Sequence, residues 1–430
     1  MSFPFFLPGH PVSASLRRSI LASGLLACAA IGNAVADDSA PADASTGPSW
    51  KFSGFGTLGM VHASVRDADF SSTVLRANGA GRSERWSPDV DSRLGAQLDL
   101  SLGRWSGVLQ VVSEQNMDGN YRPRIEWANV KYQATPDLAL RVGRIALPVF
   151  LMADYRKVGY TMPWLRPPVE VYGGLPIASS DGIDATWRWG RGDTRHATQV
   201  FYGRTDTRLF DDRRLEAHGI AGLSHSIERG PLSARLSALT GHLTTGIGDE
   251  VFSAMRGFGT QGAALAGRYA IEHKRVSMVS AGFSYDPGQW FVSAEAGHAQ
   301  THSLLGETTT MYAGAGYRFA SLTPYLGFAR ARAHGANRDP GLALAGLPPR
   351  TQALGAALNA GVNLYLGTIP IQTTLSTGLR WDLATNVALK AQYDRARPTD
   401  GSRGTLINTP SSFRSGQTVH VASVALDFVF

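Results

Sequence analysis

From Trp50 to Phe430 the chain repeats one pattern: about ten residues alternating apolar and polar, then a turn. The run Arg93–Leu102 shows it plainly. Leu94, Ala96, Leu98, Leu100 and Leu102 share one register, and Arg93, Gln97, Asp99 and Ser101 share the other. Ile183, Ala185, Trp187 and Trp189 alternate with Asp184, Thr186 and Arg188 in the same way. So do Ile371, Thr373, Leu375, Thr377, Leu379 and Trp381 with Gln372, Thr374, Ser376 and Arg380. Successive strand side chains point to opposite faces, so each segment is a two-faced strand.

Sixteen segments carry the pattern: 51–65, 91–102, 104–115, 124–134, 137–146, 180–190, 195–206 and 217–228, then 231–242, 276–286, 289–301, 308–319, 322–334, 370–382, 385–396 and 418–430. A soluble sandwich would alternate too. Three features select a membrane barrel instead. The segments are long, aromatic residues recur near their ends (Trp105, Tyr132, Trp189, Trp290, Trp381, Tyr393), and short turns alternate with long loops. Transmembrane strands need about 9–11 residues, flanked by aromatic girdles, with turns short on one side and loops long on the other. The short turns fall at 102–104, 135–137, 190–194, 228–231, 286–288 and 382–386; the long loops lie near 66–89, 146–179, 242–275, 334–369 and 397–417. An even strand number places both ends of the barrel domain on one side of the membrane. The uncharged stretch 351–366 carries Gln352, Asn359 and Asn363, and reads as an amphipathic turn or helix packed in a loop.

Composition agrees. Charged residues make up 17%, below the usual quarter of a soluble protein, and 48 of the 430 residues are Gly. One face of every strand touching lipid lowers charge; tight turns and curved strands raise Gly.

Arg17 and Arg18 are the only charges before Asp37. Between them lies an uncharged apolar stretch that closes on Ala34-Val35-Ala36. A positive flank, an apolar core and a small-x-small exit predict a secretory signal peptide over 1–36. A short segment, 37–49, would then precede a single barrel domain, 50–430. The only cysteine, Cys28, falls in the leader, so the mature chain would hold no disulfide. Loss of the two arginines leaves 39 basic against 34 acidic residues, spread along the chain rather than clustered as a nucleic-acid binder would have them. At the other end, Leu426, Phe428 and Phe430 occupy alternate positions.

In the opening Lys51-Phe52-Ser53-Gly54-Phe55-Gly56-Thr57-Leu58-Gly59, in Arg380–Lys390 and in the terminal Phe430, the chain resembles the Gram-negative outer-membrane porins. It is similar to a proteobacterial porin group with a long segment after the fifth strand, here Leu147–Tyr160 and Trp164–Tyr172. The resemblance implies a homotrimer of sixteen-stranded antiparallel β-barrels, each with a water-filled pore narrowed by an inward-folded third loop. It implies a place in the outer membrane, in contact with the bilayer and its lipopolysaccharide. It also implies that Leu426, Phe428 and Phe430 are a signal read by the barrel assembly machinery.

The segment 146–179 reads as that constriction loop. Phe150, Leu151, Met152, Trp164, Leu165 and Val169 would pack it on the inner wall, and Asp154, Arg156, Lys157, Arg166 and Glu170 would project towards the lumen; alternatively the loop covers the outer mouth with its charges solvated. Positions opposite the apolar face carry Arg93, Lys131, Arg141, Arg188, Arg380 and Lys390 against Asp91, Asp99, Glu114, Asp184 and Glu295. Porins of this kind place basic wall residues across the lumen from loop carboxylates. The resemblance thus sets Arg93, Lys131 and Arg141 against Asp154 or Glu170, and a dominant basic side would favour anions.

No catalytic, metal or cofactor site is expected. His225-Ser226 and His302-Ser303 are adjacent, and adjacent strand residues point apart, so neither pair makes a nucleophile–base contact. His298 and His302 lie about 13 Å apart along a strand. Gly54-Phe55-Gly56-Thr57-Leu58-Gly59 spells a phosphate loop, yet it lies within a strand with no helix after it. Two functions stay open: passive diffusion of ions and small hydrophilic solutes, or a substrate-selective channel that prefers anions or sugars. A barrel with a plugged lumen is a third.

Overall fold

In the computed structural model, described here for residues 47–174, 177–209, 213–335 and 337–430, sixteen long antiparallel strands close into one barrel. They are β1 (Ser49–Ala63), β2 (Arg93–Leu102), β3 (Trp105–Glu114) and β4 (Arg124–Gln133), followed by β5 (Leu138–Ala146), β6 (Ser179–Arg191), β7 (Thr194–Arg208) and β8 (Arg214–Arg229). Then come β9 (Leu232–Thr245), β10 (Lys274–Tyr285), β11 (Trp290–Thr301) and β12 (Glu307–Tyr317), and finally β13 (Leu322–Ala333), β14 (Gln372–Ala384), β15 (Val387–Pro398) and β16 (Val419–Val429). Each pairs with its neighbours in sequence. β1 closes the ring on β16, Phe55 opposite Val429 through Ala63 opposite Val421. Closure leaves no open edge, the condition for strands to span a bilayer.

The short turns and the start of β1 lie at one end of the barrel. Gly103 and Gly230 take positive φ, 55° and 56°, in two of these two-residue turns, a conformation that costs Gly nothing. The outward face between the ends is apolar: Leu94, Leu140, Val142, Ile183, Val200, Leu236, Val279, Leu326 and Leu375 are all exposed. An aromatic ring system collects near the short-turn end. Trp105 packs on Tyr132 at 4.7 Å between ring centres, Tyr285 on Trp290 at 5.3 Å and Tyr317 on Phe319 at 4.5 Å.

The glycines of the opening segment have a specific task. A Cβ on Gly54 would stand 2.2 Å from the Phe430 ring, and one on Gly56 would stand 2.3 Å from that of Phe428. Both glycines are recesses on the outer wall into which Phe428 of β16 and the following Phe430 lie at the closing seam.

Two strand bounds differ from the sequence pattern by three residues, and the others by two or fewer. β8 starts three residues before, and β9 ends three residues after, the alternating stretches 217–228 and 231–242. A register shift between His218 and Ala221 breaks the period there, so alternation stops while pairing continues.

The eight connections at the other end are L1 (64–92), L2 (115–123), L3 (147–178), L4 (209–213), L5 (246–273), L6 (302–306), L7 (334–371) and L8 (399–418). L5 holds α2 (Asp249–Arg256) and α3 (Gly259–Tyr269), and L7 holds α4 (Pro349–Leu366), the helix expected over 351–366; L3 contributes the one-turn α1 (Val169–Tyr172). Phe252, Met255, Leu265, Leu342, Leu358, Val362, Leu366 and Ile369 form an apolar core among L5 and L7. No helix among the described residues is long and apolar enough to cross a membrane.

Candidate functional site

L3 folds into the barrel. It leaves β5, and its apolar side chains Leu147, Val149, Phe150, Met152, Met162 and Trp164 are buried against Phe201, Met278, Phe291, Tyr312 and Tyr325 of the wall. Trp164 stands edge-on to Phe291 at 5.6 Å and to Tyr325 at 6.0 Å. Apart from two single helical turns, Gly159–Thr161 and α1, the segment has no internal backbone ladder, so its carbonyls need partners from the wall.

The wall supplies them from strand after strand. Ser237 donates to the Pro148 carbonyl, Ser280 to that of Val149, and Arg235 to that of Phe150. The Lys390 ammonium donates to the carbonyls of Gly159, Met162 and Trp164 at 2.7, 2.7 and 3.0 Å. Arg380 donates to those of Tyr160 and Met162. In return the Leu151 N–H donates to Glu295 at 2.7 Å and the Leu165 N–H to the Tyr325 hydroxyl at 3.2 Å. Six strands, β9 to β11 and β13 to β15, thereby hold a loop that is rooted between β5 and β6.

Two charges expected at the lumen are instead buried in this anchoring. Arg166 donates to Asp91 at 3.0 and 2.7 Å, to Asp394 at 2.9 Å and to Ser423 at 2.5 Å, with Phe70 5.1 Å from its guanidinium. Burial acts to lower the Arg166 pKa, but Asp91 and Asp394 outweigh it and hold the guanidinium above its ordinary value. Burial pushes the Asp91 carboxyl up, and Arg166 more than reverses this, leaving it below the usual carboxylate range. Glu170 is 3% exposed and accepts hydrogen bonds from Gln372 and Thr374, with no cation paired to it among the described residues. Burial raises its pKa. An apolar loop pressed on a wall takes its interior charges with it, and alternation along β-strands says nothing about which charges these are.

The pairing of Arg93, Lys131 and Arg141 with Asp154 or Glu170 is corrected as well. Asp154 pairs with Arg235 of β9 at 2.8 Å, and Arg141 pairs with Asp184 of β6 at 2.8 Å. Lys131 and Arg141 are opposite one another close to the turn joining β4 and β5, at the short-turn end. L3 enters from the opposite end and packs on the far wall, so neither reaches its carboxylates.

Between L3 and the wall of β2 to β8 a cavity of about 800 Å³ remains. Arg156 and Lys157 line it from L3, Arg76 from L1, and Arg93, Arg124, Arg144, Arg208 and Arg214 from the strands. Only three carboxylates join them: Glu114, Glu126 and Asp206. All three are engaged. Lys157 contacts Glu114 and stands 3.6 Å from Glu126, Arg76 reaches Glu114 at 3.2 Å, and Arg214 holds Asp206. Arg93, Arg124 and Arg156 make no ion pair with a carboxylate among the described residues; Arg93 donates only to the Asp91 carbonyl. The sequence pattern pointed to Arg93, Arg156 and Lys157 but missed Arg76, Arg124, Arg144, Arg208, Arg214 and Arg235. Arg144 escapes it because Gly143, at φ 125°, interrupts the alternation of β5.

The remaining residues singled out from sequence fall elsewhere. Leu426, Phe428 and Phe430 are on the outer face beside β1. His225 contacts Thr198 and His196, while Ser226 accepts from Arg235. No cluster of three or more potential metal ligands occurs among the described residues.

The closed sixteen-stranded barrel has known counterparts. Salmonella typhi OmpF, solved with daunomycin, superposes with a TM-score of 0.55 at 13% identity, over 90% of this chain and 99% of that one. An anion-selective porin from Comamonas acidovorans gives 0.53 at 14% identity, over 89% and 100%. The fold is that of the outer-membrane porins. The outer membrane channel DcaP of Acinetobacter baumannii shares this porin fold at a TM-score of 0.51 and 12% identity, over 90% and 99%. No protein-family model and no curated protein matches the sequence. On the loop side of the cavity the lining charges are Arg156 and Lys157.

Proposed function

We propose that the chain is an outer-membrane porin, a water-filled channel through which ions and small hydrophilic solutes diffuse passively. One observation carries the reading: L3 crosses the lumen, is fixed to the far wall by side-chain donors, and leaves a charged cavity between itself and β2 to β8. A plugged structural barrel has no reason to keep such a polar space beside an otherwise apolar insert. Export by a signal peptide over 1–36, assembly through the outward Leu426, Phe428 and Phe430, and a homotrimer belong to the same proposal.

A specific observation favours the anion-preferring form. Of the eight cationic side chains lining the cavity, Arg144 and Arg208 also pair with Asp181 and Asp118 outside that lining. Arg93, Arg124 and Arg156, with no carboxylate partner among the described residues, give the cavity a positive field that low-dielectric walls concentrate. Planar-bilayer recording of the purified protein tests both points. Ohmic conductance with a reversal potential displaced towards that of the anion is the expected result. Zero conductance removes the pore, and saturable block by a neutral sugar removes the non-specific reading.

A further inference from the structure

At the short-turn end of the outer wall, β6, β7 and β8 bring two histidines together. His196 of β7 lies opposite Trp189 of β6 and Ile227 of β8. Two residues on, Thr198 lies opposite Trp187 and His225. Alternation sets these side chains outward, in register with the exposed Trp187, Val200 and Leu223. His196 follows the first residue of β7, Thr194, by two, or about 7 Å along the strand, which is the level of the aromatic belt where the wall meets water. Both histidines are half-buried.

The spacing of their nitrogens is that of two ligands on one metal ion. His196 Nδ1 and His225 Nε2 are 3.3 Å apart, and the ring centres are 5.4 Å apart. Two imidazoles on a tetrahedral zinc, each bound at about 2.0–2.1 Å, have nitrogens about 3.3–3.4 Å apart and ring centres about 5 Å apart. A right-angled pair, as on a square-planar or octahedral ion, needs only about 2.9 Å. For a direct hydrogen bond between the rings, 3.3 Å is long.

The neighbours hold both rings in place. The Thr198 hydroxyl stands 2.9 Å from Nδ1 of His225. With that Nδ1–H donating to the hydroxyl, the Nε2 lone pair faces His196, the tautomer a metal-bound imidazole needs. Trp189 stacks on His196 at 3.8 Å with 5° between the planes and fixes the other ring. Other histidine pairs of the barrel are arranged differently. His242 and His273 stack face to face at 4.4 Å, so their in-plane lone pairs run side by side, and the Thr309 hydroxyl bridges His298 and His334 at 3.0 and 2.7 Å.

We propose that His196 and His225 bind a zinc ion, a two-imidazole clip between β7 and β8 at the short-turn border, with water completing the tetrahedron. Imidazole nitrogen suits zinc, whereas calcium and magnesium take oxygen ligands. The inference rests on the barrel fold and not on the pore.

The test uses the full, untagged barrel in detergent, stripped with a chelator and titrated with zinc chloride by calorimetry, with the thermal midpoint as a second readout. Wild type should bind one zinc per chain more than His196→Gln with His225→Gln. Its midpoint should rise with zinc beyond any rise in the variant, because zinc bound only by the folded state stabilises it. Thr198→Val leaves both ligands in place and should weaken this site about tenfold. His242→Gln with His273→Gln should leave it intact. Equal zinc binding and an equal midpoint response in wild type and the His196, His225 variant overturn the proposal, and mark the pair as a hydrogen bond between rings. So does displacement of the zinc by an equal concentration of magnesium. Should the double variant fail to fold, unchanged zinc affinity in Thr198→Val and in His196→Gln alone overturns it as well. A wild-type protein that binds this zinc without conducting sinks the pore and leaves the inference standing.

Discussion

The Arg166 guanidinium of L3 holds the Asp91 carboxylate of L1 through two hydrogen bonds, at 3.0 and 2.7 Å, with both side chains buried. A third bond to Asp394 ties the pair to β15. Removing one member of a buried ion network strands the others, at about 3–5 kcal/mol. Arg166→Met should therefore lower the thermal midpoint markedly and loosen L3, read as noisier and larger single-channel currents. Unchanged stability and conductance would show that the apolar contacts of L3 suffice alone.

The same pair sets an acid limit. Asp91 titrates below its usual range in the folded state, so its contribution is complete above about pH 4, the unfolded value, and is lost as pH falls through the lower folded value. Thermal midpoints of wild type should drop below about pH 4 more steeply than those of Asp91→Asn. Parallel curves would remove Asp91 from the acid limit.

Glu170 obeys the opposite sign. Its folded pKa is raised by burial, so the folded state favours the protonated form and loses stability as pH rises past the usual carboxylate value. Glu170→Gln keeps an acceptor for Thr374 and Gln372 and discards the unpaired charge. A midpoint equal to wild type at pH 4 and higher at pH 8 is expected. A uniform drop at both pH values would mean that the carboxylate is needed as such.

Selectivity should follow the unengaged cavity cations. Reversing one charge near the permeation path changes an ion's energy by about 2 kcal/mol at 4 Å in water, a factor of about thirty. Arg124→Glu with Arg156→Glu should move the reversal potential towards the cation. Lys131→Glu, far from the cavity and near the opposite end, should move it much less. Equal shifts from both would place the narrow point elsewhere.

At the seam, Gly56→Leu has no room beside the Phe428 ring. Overpacking of this kind costs about 1–3 kcal/mol. A lower temperature for conversion of the folded to the unfolded band on gels is expected, and Gly56→Leu with Phe428→Ala should restore part of it. No rescue would point to strain in the backbone of β1 rather than ring contact.

The sixteen strands were legible because the side-chain period of a strand is local: Leu94 to Leu102 announce a lipid face whatever they pair with. The inward fold of L3 was legible from its apolar composition, since Phe150, Met152 and Trp164 could not stay in water. Which charges meet was not. Arg166 and Glu170 look like Arg156 and Lys157 in sequence, yet the first two are buried under the loop and the second two face the cavity. That division depends on which wall L3 leans against, a choice made by donors 80 to 230 residues away, Arg235, Arg380 and Lys390 among them. Sequence alone determined a two-faced strand repeated into a closed barrel with an apolar insert, because periodicity and hydropathy act locally. Only the tertiary structure decided the sign of the cavity, because charge balance at a point is a sum over residues that meet only once the ring has closed.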